Sequence, residues 1–149
     1  MAKEYKELDY KFKDEIKSKP GGENLSLCYS CGSCTATCPV SEEEEDFNPR
    51  LIIKKALLGF KEELLSELTI WQCIQCRRCV SACPQNVRFA DIIRVLRELS
   101  VTAGYYSEEL EEELDRFDRS LVSYRLKSLE KVESGKSTWD SELPDSGGV

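Results

Sequence analysis

All eight cysteines of this 149-residue chain fall into two copies of one pattern. The first copy is Cys28, Cys31, Cys34 and Cys38, followed by Pro39. The second is Cys73, Cys76, Cys79 and Cys83, followed by Pro84. Each reads C-x2-C-x2-C-x3-C-P. Eight soft donors in two matching arrays constrain the fold more than any hydrophobic pattern here, because the chain must bend to bring them round what they bind. No cysteine is left for a second task. Beyond the cysteines and prolines no stronger internal repeat is visible.

Three cysteines at spacings of three can wrap one face of a cube-shaped four-iron cluster through a tight loop. The fourth, followed by proline, points away from that face. The runs resemble those of two-cluster ferredoxins, in which the fourth cysteine of each run ligates the other cluster. The resemblance implies that Cys28, Cys31, Cys34 and Cys83 bind one [4Fe–4S] cluster, and that Cys73, Cys76, Cys79 and Cys38 bind a second. The proline after each fourth cysteine fixes the backbone and has no N–H to compete. Two four-cysteine zinc sites and a set of disulfides are the competing readings. Zinc, however, needs neither a third C-x2 step nor a trailing C-P. A cluster with four thiolate ligands has no open iron, and the chain has no histidine to act as a general base. The expectation is therefore passage of single electrons, with no catalytic residue in this chain.

The bulk properties agree. With 149 residues and 40% hydrophobic content, the chain can build only a modest core, so bound clusters are expected to supply part of the folding free energy. A net charge of -7 argues against nucleic acid as a partner. No apolar stretch approaches the roughly 20 residues of a membrane span. The charged first residues contain no apolar signal core, so a cytoplasmic location is expected, where thiols stay reduced.

Helical periodicity fills the rest. Residues 1–19 carry a weak pattern through Tyr5, Leu8, Phe12 and Ile16, ended by a turn at Pro20-Gly21-Gly22. This segment is either a helix on its own domain or an arm for a partner. The acidic residues 42–46 read as a solvated loop. Asn48-Pro49 opens a helix predicted over 49–68, with Leu51, Ile52, Ile53, Ala56, Leu57, Phe60, Leu64, Leu65 and Leu68 on its apolar face. Gly59 weakens or bends it. A helix is predicted over 89–103, with Ile92, Ile93, Leu96 and Leu99 buried, Arg94, Arg97 and Glu98 outside, and Gly104 closing it. Ser107 opens a third helix, whose Leu110, Leu114, Phe117, Leu121 and Tyr124 make a narrow seam that either folds back or meets a partner. From residue 134 the composition predicts a flexible tail. The expected organisation is an N-terminal helical arm at 1–22, a cluster domain at 23–104, a C-terminal helix at 105–133 and a tail at 134–149.

Charge distinguishes the two runs. Arg77 and Arg78 lie inside the second run, and Arg88, Arg94 and Arg97 follow it; the first run has no basic residue between its cysteines. Cations beside an anionic cluster favour its reduced state, so the second-run cluster is expected to have the higher potential. The other reading is that these arginines are simply exposed or grip a partner. Trp71 lies two residues before Cys73 and Tyr29 follows Cys28; each either shields a cluster or simply packs.

Three segments carry a closer resemblance. Residues 28–40 read CYSCGSCTATCPV, residues 48–59 read NPRLIIKKALLG, and residues 71–99 read WQCIQCRRCVSACPQNVRFADIIRVLREL. Together they resemble the C subunit of heterodisulfide reductases and of the related complexes of sulfur oxidisers, over about residues 25–100. The resemblance implies an all-α, helical ferredoxin domain with two [4Fe–4S] clusters, similar to the iron–sulfur domain of succinate dehydrogenase; the helical arms at both ends lie outside it and rest on periodicity alone. The resemblance also implies a relay role in a hetero-oligomer, between a flavin and iron–sulfur subunit (A) and a catalytic subunit (B) with cysteine-rich CCG motifs. This chain has no such motif. A free-standing ferredoxin shuttle and an iron–sulfur module of a quinone-linked dehydrogenase are the alternatives.

Overall fold

Asn48 and Gly59 set the two ends of the helix between the cysteine runs. In the computed structural model, which describes residues 8–133, the Asn48 side chain accepts the backbone N–H of Leu51 at 3.2 Å, and Pro49 occupies the first helical position. This satisfies an N-terminal donor that a helix otherwise leaves open. At the other end Gly59 is left-handed, with φ 88°, and the Phe60 N–H reaches back to the Lys55 carbonyl at 3.0 Å. That 6→1 bond closes the helix. A Cβ at Gly59 would also collide with the backbone of Asp9, whose N–H donates to the Gly59 carbonyl. The single helix expected over 49–68 is therefore two, and a 3-10 turn, Leu68–Trp71, follows them. Leu51 and Leu68, expected on the packed face, are exposed.

The helices in chain order are α1 (Phe12–Lys17), α2 (Ser33–Ala36), α3 (Pro39–Glu43), α4 (Pro49–Leu58), α5 (Lys61–Ser66), α6 (Arg78–Ala82), α7 (Phe89–Thr102) and α8 (Glu108–Glu133). Among the described residues there is no strand, so the fold is all-α as expected. None of the described helices is long and apolar enough to cross a membrane. The chain divides into two units between Tyr106 and Ser107.

In the first unit, α7 is the central element. It packs on α1, α5, α6 and the turn Leu68–Trp71. Phe89, Ile92, Ile93, Val95, Leu96 and Leu99 are all buried on it, and each such side chain contributes about 1.5–3 kcal/mol. Ser100 is also buried there, its hydroxyl donating to the Leu65 carbonyl. Arg94 and Glu98 are exposed as expected, but Arg97 is 7% exposed and belongs to the interior. The reason is geometric: Arg97 stands one helical turn after Ile93, on the packed side of α7.

The N-terminal segment is helical only over Phe12–Lys17 among its described residues; Tyr5 lies outside them. Phe12 and Ile16 have no exposed surface, and α1 packs on α4 and α7. Their apolar side chains are thus occupied within the first unit. Residues 42–46 are exposed, and Phe47 immediately after them is buried against Phe89, with ring centroids 6.4 Å apart. In the second unit α8 starts at Glu108 with three acidic residues in its first turn, which suits the helix dipole. It has no buried residue. The tail expected from residue 134 lies outside the described residues.

Candidate metal centre

The two cysteine runs fold alike in more than their cysteines. A 3-10 turn leads into each: Leu25–Leu27 before Cys28, and Leu68–Trp71 before Cys73. The third residue of each run is left-handed, Ser30 at φ 61° and Gln75 at φ 52°. So is the fifth, Gly32 at φ 85° and Arg77 at φ 62°. A short helix follows, α2 bearing Cys34 and α6 bearing Cys79. Then the fourth cysteine is extended in both, Cys38 at φ -84°, ψ 118° and Cys83 at φ -82°, ψ 114°. Left-handed residues between right-handed ones curl the backbone into a concavity suited to an anion. For residues other than glycine this conformation costs roughly 1–2 kcal/mol each, so the surroundings must enforce it.

Because α2 packs on α6, the fourth cysteine of each run reaches the other run. One open hollow, of about 390 Å³, is lined by Cys28, Cys31, Cys34 and Cys83, with Cys79 at its edge. A second, of about 290 Å³, is lined by Cys38, Cys73, Cys76 and Cys79. Cys79 and Phe89 border both hollows, so the two adjoin. All eight cysteines are free.

The thiols are spread round each hollow, five at the first and four at the second, instead of meeting at a point. Among the described residues, no three Cys, His, Asp or Glu side chains converge as a single metal ion requires. A tetrahedral zinc ion draws its four ligands to about 2.0–2.3 Å. Thiols spread round an open hollow fit a multi-atom cluster, whose irons each take a thiolate ligand.

Electrostatics separates the eight thiols. Burial pushes Cys79 up to about 11 and raises Cys34 and Cys73 as well. Contact with the Ser33 hydroxyl, 3.4 Å away, holds Cys31 below its ordinary value. The buried thiols are thus poor thiolates by themselves, and ligation must drive their protons off. Some sulfurs already accept hydrogen bonds, among them Cys83 from the Val87 N–H at 3.4 Å and Cys73 from the Gln75 amide at 3.7 Å. Such donors tune a cluster's potential.

The loops are held by different means. On the first run, the Thr35 hydroxyl donates to the Asn48 side chain at 3.0 Å and accepts from the Arg50 N–H at 3.2 Å. This ties α2 to the start of α4. On the second run, the buried carboxylate of Asp91 pairs with Arg77 at 3.1 Å and Arg88 at 2.7 Å. Both arginines are left-handed. Arg97 donates to the carbonyls of Ile70 and Trp71, each at 3.1 Å, and of Cys73 at 2.7 Å. Its guanidinium also lies over the Trp71 ring, 5.2 Å from the centroid.

Two details add to the sequence reading. Although no basic residue lies between the first-run cysteines, Arg50 of α4 lines the first hollow. Trp71 borders neither hollow and packs on Tyr106, 5.4 Å away, whereas exposed Tyr29 borders the first.

Comparison with known proteins agrees with this geometry. Residues 24–87 match the family described as "4Fe-4S dicluster domain". The C subunit of the H(2):CoB-CoM heterodisulfide,ferredoxin reductase of Methanothermobacter marburgensis is 37% identical over 98 residues, 66% of this chain and 52% of that one. The C subunit of the ferredoxin:CoB-CoM heterodisulfide reductase of Methanosarcina acetivorans is 38% identical over 91 residues, 61% of this chain and 36% of that one. A protein of Archaeoglobus profundus, described as like the C subunit of heterodisulfide reductase, is 34% identical over 85 residues, 57% of this chain and 45% of that one. The chain spans about half the length of the first of these curated relatives. Through its helical, cysteine-bearing part, this chain is similar to the C subunits of heterodisulfide reductases.

Proposed function

We propose that this chain is the iron–sulfur relay subunit of a heterodisulfide reductase-like complex. It passes single electrons between a flavin and iron–sulfur subunit (A) and a cysteine-rich catalytic subunit (B). The observation that carries the reading is the pair of adjoining hollows, each lined by three cysteines of one run and the fourth of the other, with Cys79 bordering both. In this reading Cys28, Cys31, Cys34 and Cys83 hold one [4Fe–4S] cluster, and Cys73, Cys76, Cys79 and Cys38 hold a second. When bound, such clusters supply one-electron exchange. The protein's residues supply the rest. Eight thiolates saturate the irons and leave no position for a substrate. Cys79 and Phe89 bring the two sites into contact. Cys31 and Cys76, equivalent in the two runs, are both exposed and give each site an edge at the surface.

The names of the relatives support membership of a complex. The use of eight free cysteines suits a reducing, cytoplasmic setting. In functional terms the relay domain is residues 23–104, and 105–133 is the segment left for docking. Anaerobic purification of the full chain should yield about eight irons and eight sulfides per chain, as two cubane clusters require. Reductive titration should take up two electrons. Co-expression with A and B subunits from the same source should give a complex that reduces this chain before the catalytic subunit. Zinc without sulfide, or a chain that never associates with either subunit, would overturn the reading.

A further inference from the structure

The charge difference between the runs is smaller than the sequence suggests, with one exception. Arg50 lines the first hollow and Arg77 the second, so each has an arginine at its wall. Arg77 and Arg88 share the Asp91 carboxylate, which offsets part of their charge. Arg94 is exposed on α7, where water and salt screen it. Arg97 is set apart by its burial and by the carbonyls it reaches. It is 7% exposed, and its guanidinium donates to three carbonyls in the segment that leads into the second run, the last being Cys73 itself. The first run is preceded by a similar 3-10 turn, but the Cys28 N–H there bonds only to the Leu25 carbonyl, and no arginine donates to that turn among the described hydrogen bonds.

We propose that Arg97 is a positioning residue of the second run, fixing the Cys73 backbone and lending a buried positive charge that raises the potential of the cluster this run binds. The proposal rests on the relay reading above. Three donors on one planar group pin the leading segment better than a lysine could, because the fork is rigid. Packing over Trp71 holds the plane of the guanidinium in turn. A charge in this partly dry setting acts on its neighbours more strongly than one at the surface.

The test compares the full, cluster-loaded chain with Arg97→Met and Arg97→Lys, by redox titration monitored by electron paramagnetic resonance. The second-run signal is identified as the one lost in Cys76→Ala. Arg97→Met should lower the reduction equilibrium of that cluster at least tenfold, about 59 mV for one electron, and leave the first-run cluster unchanged. Arg97→Lys keeps the charge but not the fork. It should lower the equilibrium less and release the second-run cluster to a chelator several-fold faster than the parent chain. A fully loaded Arg97→Met with an unshifted second-run cluster overturns the proposal. Equal shifts of both clusters overturn it too. If Arg97→Met loses the second-run cluster altogether, Arg97→Lys decides, and its matching the parent in both potential and release is fatal. Failure of the parent chain to take up iron and sulfide would instead defeat the relay reading.

Discussion

Before the helix that bears Cys34 stands Gly32; before the helix that bears Cys79 stands Arg77. Both residues are left-handed, at φ 85° and φ 62°. Glycine adopts this conformation freely, and a Cβ at Gly32 would meet nothing within 4 Å. For Arg77 it costs roughly 1 kcal/mol or more. The second run makes the same turn at that cost, and its side chain is pinned on the Asp91 carboxylate. The first run relies on neutral groups, with Thr35 and Asn48 joining α2 to α4. One backbone is thus held by hydrogen bonds in the first copy and by ions in the second. The difference shows that the repeat lies in the path round the hollow, while each copy draws its support from whatever packs behind it: α4 for the first run, α7 for the second.

The largest effect would come from breaking the exchange between the copies. Cys38→Ala should remove the second-run cluster and keep the first, halving the iron bound; Cys83→Ala should do the reverse. Iron analysis with paramagnetic resonance distinguishes these outcomes, and loss of the first-run signal in Cys38→Ala would mean that each run closes its own site.

Next in size is Asp91→Ala. It strands two arginines in costly conformations and removes the acceptor of two charged hydrogen bonds. The expected destabilisation is about 2 kcal/mol, lowered from the value for a fully buried pair because both guanidiniums are about half exposed. It should be read as earlier loss of the second-run signal on heating, with the first-run signal outlasting it. Simultaneous loss of both would show that the clamp serves the whole domain. Asn48→Ala is the counterpart on the first run. It removes an N-cap worth about 1 kcal/mol and the acceptor of the Thr35 hydroxyl. The order of loss should then reverse, with the first-run signal failing earlier.

Much of this site is legible in the sequence because cysteine spacing is a local property. Three cysteines within seven residues must lie round one space, whatever the rest of the chain does. Helix α7 is legible for a similar reason, as Ile92, Ile93, Leu96 and Leu99 repeat at helical spacing. The supports are not legible, because they come from residues distant in sequence. Arg50 lies twelve residues beyond the first run, and only the packing of α4 on α2 brings it to the hollow. Arg97 reads as an outside residue because arginine usually is one. Its step of four from Ile93 is the available signal, and it becomes meaningful only once the carbonyls of Ile70, Trp71 and Cys73 are in reach. The helix over 49–68 fails at Gly59 for a related reason. A glycine within an apolar pattern can bend, weaken or end a helix, and contact with Asp9 helps to decide the matter here.

The smallest effect is the most specific to the comparison. Salt screens exposed charges, with a Debye length of about 10 Å at 0.1 M and about 3 Å at 1 M. The Asp91 carboxylate is mostly buried, but its two guanidinium partners are open to solvent, so the ionic clamp feels part of this screening. The bonds among Thr35, Asn48 and Arg50 involve a hydroxyl, an amide and a backbone N–H, and carry no net charge to screen. Raising the salt from low to molar concentration should therefore weaken the hold on the second run by about 0.5 kcal/mol, within the range for part-exposed pairs. The hold on the first run should stay unchanged. Chelator-driven cluster release, followed at both signals, measures this as a roughly twofold acceleration at the second-run site alone. Asp91→Ala should abolish that acceleration, because the charges being screened would no longer face one another. Equal acceleration at both sites, or persistence of the salt effect in Asp91→Ala, would place the ionic hold elsewhere than at Asp91.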